Sequence, residues 1–165
     1  MKNRMTDQFN TLKEDDLRIL TDAVPLIAIL IAGADGEIDD EELQWSKKVA
    51  HIRSYKMKAD LKSFYAEVDK NYLGKLQHFI EVLPSGVTER TKIISEKLTE
   101  VNPIMAKLSP EVGAKLYKSF LSFADHVAKA SGGVMGFFSV NKAEASLIGL
   151  PMIHPITFEH TDEEE

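Results

Sequence analysis

The sequence predicts an all-α protein. Apolar residues recur at steps of three and four through almost every segment, and no run alternates with period two for long enough to suggest a sheet. Capping and breaking residues punctuate the chain at helix-like intervals. With 165 residues, 44% of them hydrophobic, the chain is long enough to bury one core without a disulfide or metal. Residues 1–155 therefore read as a single domain, and 156–165 as an acidic tail expected to be disordered.

Thr11 with Glu14 forms a capping-box pattern that starts the first helix near Leu12, and Leu17, Leu20, Val24, Ile27 and Ile31 follow on one face. Ile19, Leu26, Ile29 and Leu30 fill its other faces, which places the second half of this helix at the centre of a bundle. Pro25 predicts a kink or a split. Gly36 is expected to end the helix in the left-handed conformation, and Asp39 with Glu42 to cap a second helix carrying Leu43, Val49 and Ile52, with Trp45 beside them. Further helices are predicted over 61–68, 73–83 and 88–101, separated by Pro84-Ser85-Gly86 and ended by Asn102-Pro103. Ser109-Pro110 supplies a cap and an N1 proline for a long helix with Val112, Leu116, Phe120, Phe123 and Val127 on one face. Gly132-Gly133 stops it, Ser139 caps a last helix through Leu150, and Pro151 closes that helix. Residues 23–49 and 120–150 share the order apolar helix, glycine-containing loop, capping residue, helix, which suggests an internal duplication.

Composition narrows the chemistry. The absence of cysteine excludes thiol catalysis, cysteine-ligated zinc, iron–sulfur clusters and disulfides. The net charge of −6 disfavours nucleic acid and anionic surfaces, but six acids lie within residues 35–42 and four within 162–165, so the remainder of the chain is net basic. The most apolar run, 24–34, is about half the length of a membrane-spanning helix, and no leader pattern follows Met1, so a cytoplasmic protein without membrane insertion is expected.

The sharpest feature is Asp35-Gly36-Glu37-Ile38-Asp39-Asp40-Glu41-Glu42 between two helices. Against the calcium-loop pattern D-x-[DN]-x-[DN]-G-x₅-E, Asp35 takes the third acidic position, Gly36 the glycine, Ile38 the inward apolar position, Asp39 the water-mediated position and Glu42 the closing acid. The first two ligand positions fall on Ile31 and Gly33 in the apolar helix, so a complete calcium cage is excluded. Asp35, the Glu37 carbonyl, Asp39 and Glu42 remain as a half-site that would hold a hard divalent cation, Ca or Mg, weakly. Helix physics alone also accounts for these residues, through a left-handed glycine, an Asp39 cap and carboxylates at a helix N-terminus. A third use is docking of a protein partner on the acidic loop.

An apolar helix, Ala-Asp-Gly-x-Ile-Asp-x-x-Glu and an amphipathic helix, in an all-α chain with a degenerate second copy, resembles the tellurite-resistance TerB-like family. The match is carried by Asp35, Gly36, Ile38, Asp39 and Glu42 within residues 24–52, with weaker support from 120–150. The resemblance implies a compact bundle of about seven or eight helices on a pseudo-duplicated core. It also implies a metal-linked role in stress or tellurite resistance without enzymatic activity.

Other motifs are weaker. His51, His78, His126, His154 and His160 contain no HExxH and no i, i+4 pair, and no nucleophile elbow, Walker loop or dinucleotide fingerprint is present. A small-molecule binder or enzyme would use a pocket between the two pseudo-repeats, near Asp125, His126 and Gly132-Gly133. A purely structural interaction module would expose Met135, Phe137 and Phe138. Lys47, Lys48, Arg53, Lys56, Lys58 and Lys62 lie near Trp45, Tyr55, Phe64 and Tyr65, a pattern that can bind nucleic acid but reads better as a solvated helix face.

Overall fold

The computed structural model describes residues 8–130 and 142–158. Among these residues there is no strand, and eight helices form the bundle. They are α1 (Glu14–Ala32), α2 (Asp40–Lys56), α3 (Ala59–Asp69), α4 (Tyr72–Val82), α5 (Val87–Thr99), α6 (Val101–Met105), α7 (Pro110–Ala128) and α8 (Lys142–Ala145).

α1 is the axis of the fold and touches every one of α2 to α7. Its residues 23–32 are all buried, as an apolar surface on every side requires. Pro25 neither splits the helix nor ends it. The backbone bond lost at Pro25 is offset by the contacts that a fully enclosed segment makes on all faces. The expected Thr11 cap does not form: Thr11 Oγ1 donates to the Gln8 carbonyl at 2.8 Å, and the N-cap is Lys13, without a side-chain bond. Three acids, Glu14, Asp15 and Asp16, interact with the helix dipole in its place.

α2 departs from its sequence pattern. Its buried residues are Glu42, Leu43, Ser46, Val49, Ala50 and Arg53, whereas Trp45, Ile52 and Tyr55 are exposed. Tyr72, at the start of α4, donates to the Ser46 hydroxyl at 2.8 Å, and Ser46 donates to the Leu43 carbonyl, so Ser46 is satisfied on this face. α5 and α6 are separated by Glu100 alone, with Pro103 in the first turn of α6, where its missing N–H costs no bond.

α7 matches its pattern closely. Ser109 Oγ accepts from the Val112 N–H at 3.3 Å, Pro110 is the first helical residue, and Val112, Leu116, Phe120, Phe123 and Val127 are all fully buried. Gly132, Gly133 and the predicted cap Ser139 lie outside the described residues, as do Met135, Phe137 and Phe138.

The last helix does not reach Leu150. α8 ends at Ala145 and turns follow, with Leu150 at φ 46° and fully buried, and Ile153 1% exposed. Burial of these two side chains outweighs the strain of one left-handed residue. The segment is pinned by the Asn102 amide, which donates to the Met152 carbonyl at 3.1 Å and accepts from the His154 N–H at 2.8 Å. Ile156 packs against the core beside Gly113 of α7. The tail residues 159–165, including His160, lie outside the described residues.

Candidate functional site

The acidic loop is a tight turn between α1 and α2. α1 ends at Ala32 with Gly33 as its C-cap, so Gly36 does not terminate the helix. Gly36 does adopt the positive φ expected of it, 122°, three residues later. The Asp39 N–H donates to the Ala32 carbonyl at 2.9 Å, which closes the turn, and Asp39 Oδ1 accepts from the Glu42 N–H at 3.0 Å to cap α2. Ile38 packs against the core.

The turn is organised by a residue far from it in the chain. Arg90 of α5, 4% exposed, donates through Nη2 to the carbonyls of Gly33 at 2.8 Å and Gly36 at 2.9 Å, and through Nη1 to the Ser85 carbonyl at 2.9 Å. A Cβ on Gly33 would stand 2.7 Å from Nη2, so only glycine leaves room for the guanidinium. Burial lowers the Arg90 pKa from its ordinary value, but an arginine stays charged throughout the physiological range. A cation fixed inside the protein thus satisfies carbonyls that a metal loop would turn toward its ion. The sequence does contain a signal: Arg90 stands on the stripe that carries Ile94 and Leu98, both buried.

The four metal-site candidates are placed unequally. Asp35 and Glu37 are exposed, Asp39 is half-buried and engaged in the cap, and Glu42 is 1% exposed. Among the described residues no group of three or more His, Asp or Glu side chains is arranged to hold a metal ion. Asp40 and Glu41 are exposed beside the turn.

A groove of about 540 Å³ runs from this end of α2 to the C-terminal end of α7, lined by Asp40, Glu41, Trp45, Lys48, His126 and Lys129 among others. Asp125 and His126 do not form a dyad there, because adjacent helical residues diverge and the Asp125 carboxylate pairs with Lys129 at 2.9 Å. Burial, followed by the charge of Arg53, pulls the His126 pKa below its ordinary value, with Lys129 acting in the same direction and Asp125 opposing. A depressed histidine pKa means that the unfolded chain binds the extra proton first. The contribution of His126 to stability is therefore present above about pH 6.5 and lost as the pH falls below it. Denaturation curves at pH 7.5 and 5.5 should show this slope reduced in His126→Gln; an unchanged slope refutes it.

On the alkaline side two groups act together. Burial pushes the Tyr72 phenol far above its ordinary value, with the Ser46 hydrogen bond opposing and Tyr65 adding to the rise. Burial lowers Lys115, but its bonds to Asp60 and Glu111 outweigh that and hold it above the usual lysine value. Both contributions are complete below about pH 10 and decline as the pH rises past it.

The basic segment 47–62 does not form a stacking platform, because Phe64 and Tyr65 are core residues and Arg53 is buried. No helix among the described residues is long and apolar enough to cross a membrane. The fold and turn together define an all-α bundle with a guanidinium-locked acidic turn. Compared with known proteins, the chain matches no family model, no curated protein and no solved structure.

Proposed function

We propose that the chain is a non-enzymatic helical protein of the TerB-like, stress- and tellurite-resistance type, and that the α1–α2 turn is its recognition element. The observation that carries this is the Arg90 lock, which fixes the backbone from which the exposed Asp35, Glu37, Asp40 and Glu41 extend. A cationic partner then meets an acidic face that needs no ordering on binding. The duplicated core belongs to the same proposal: α1 and α7 are each 19 residues long and pack against each other.

Two cations suit this turn, a basic segment of a partner protein and a weakly held Ca or Mg ion using Asp35, the Glu37 carbonyl, Asp39 and Glu42. Because Arg90 already bonds the Gly33 and Gly36 carbonyls and Glu42 is 1% exposed, an ion on the solvent side would begin with Asp35, Asp39 and several waters, with Glu42 joining only by turning outward, and a Kd of about 1 mM or weaker. Titrating labelled protein with CaCl2, MgCl2 and a short oligolysine distinguishes them by amide NMR. Salt-sensitive shifts confined to residues 35–42 are expected; no shift with millimolar metal removes the ion, and none with oligolysine removes the docking face.

The α2–α7 groove supports a second reading, a small-molecule binder in which Trp45 supplies the apolar surface and Asp40, Glu41 and His126 the polar groups. Ligands that perturb Trp45 and His126 together would favour it over the acidic turn.

A further inference from the structure

The groove between α2 and α7 carries its charges in an order along one helix. Glu41, Trp45 and Lys48 stand at i, i+4 and i+7 of α2 and all three line the groove, so one stripe presents a carboxylate, an indole and an ammonium in turn. A helix rises about 1.5 Å per residue, so the backbone positions that carry the two charges lie about 10 Å apart. Asp40 joins Glu41 at the acidic end, and Trp45 between the charges is 38% exposed.

These charges are free. Among the described residues the side chains of Asp40, Glu41 and Lys48 take part in no ion pair and no hydrogen bond. The opposite wall adds little charge of its own. Lys129 is bound to Asp125 at 2.9 Å, and burial, followed by the charge of Arg53, keeps His126 neutral at pH 7.5.

A simple cation in this groove of about 540 Å³ would leave Lys48 without a partner, and a simple anion would leave the two carboxylates. An α-amino acid, with its charges on neighbouring atoms, spans too little of the stripe. A linear molecule with an ammonium at one end, a carboxylate at the other and methylenes between them engages every group: the ends meet opposite charges and the chain covers the indole.

We propose that the α2–α7 groove binds a linear ω-amino carboxylate, with its ammonium at Asp40 and Glu41, its carboxylate at Lys48 and its methylene chain along Trp45. This deepens the reading of the groove as a small-molecule site and rests on that reading.

Five probes titrated into the labelled full-length chain in low salt at pH 7.5 test it by NMR, read at the Trp45 indole N–H and the His126 ring. 1-Hexanol, hexylammonium, hexanoate and 6-aminohexanoate share one apolar body and differ in charge, and glycine is the compact zwitterion. 6-Aminohexanoate should move both residues and bind at least about threefold tighter than hexylammonium or hexanoate, the gain from a second exposed ion pair. Glycine should move neither. Glu41 and Lys48 are exposed, so substitutions there should leave the fold intact. Lys48→Gln should weaken 6-aminohexanoate about threefold, to the level of hexylammonium, and bind hexylammonium no more weakly than the parent does. Glu41→Gln should weaken 6-aminohexanoate and hexylammonium but not hexanoate. The proposal is overturned if a singly charged probe or glycine binds as tightly as 6-aminohexanoate, or if Lys48→Gln leaves 6-aminohexanoate unchanged or weakens it and hexylammonium alike. If 1-hexanol still moves Trp45 and His126 in such a case, the small-molecule reading of the groove survives; if no probe moves either residue, both fall.

Discussion

Replacing Arg90 with alanine should cost the protein about 2–4 kcal/mol of stability, measured by chemical denaturation. The guanidinium donates three bonds to backbone carbonyls, and a bond from a charged donor is worth about 1.5–3 kcal/mol. The three do not sum, because the Ser85 and Gly36 bonds are only part-buried and their carbonyls regain water, whereas the Gly33 bond is buried. Amide exchange should rise selectively in residues 33–39 while α7 stays protected. Arg90→Lys should recover less than half of the loss, since an ammonium lacks the planar fork that spans several acceptors. The same variants free two carbonyls in the turn, so Ca affinity should increase if an ion binds there. A loss below about 1 kcal/mol with unchanged exchange would show that Arg90 does not lock the turn.

Phe120→Ala should cost about 3–5 kcal/mol, the largest effect expected of any single truncation discussed for this chain. Phe120 is fully buried on α7, and its ring centroid lies 6.2 Å from that of Phe64, which packs in turn on Phe9 at 5.3 Å and Tyr65 at 5.1 Å. Phe64 and Tyr65 are held on α3 and Phe9 on the segment before α1, and these cannot all move into the void, so a cavity term adds to the lost transfer energy. Combining Phe120→Ala with Phe64→Ala should cost less than the two separate losses together, because both open the same space. A loss below about 2 kcal/mol would mean that the core closes over the site.

How much of this was legible depended on whether one face of a helix settled the matter. In α7 five apolar residues at helical spacing are all buried, and Ser109-Pro110 marks the start. In α2 the neighbours Ile52 and Arg53 compete for one face. Hydrophobicity favours Ile52, yet it is 39% exposed and Arg53 is buried, because Tyr65, Ser119 and Ser122 on other helices offer the guanidinium its acceptors. The Thr11 cap failed for a similar reason: Thr11 found an acceptor in the preceding turn. The carboxylates and Gly36 of the candidate site could be read directly, being adjacent in the chain. The organising Arg90 could not, since its tie to the turn spans more than fifty residues and depends on how α5 packs against α1.

Trp45 is the single tryptophan of the chain, 38% exposed, in a groove with carboxylates on one side and His126 among its other neighbours. Its emission is consequently a built-in optical gauge of this end of the molecule. A half-solvated indole shifts toward shorter wavelength when a ligand displaces water from the groove and toward longer wavelength when the chain unfolds, while protonation of the nearby imidazole alters its yield. Occupancy, titration and unfolding can therefore be told apart in unlabelled protein by colour and intensity.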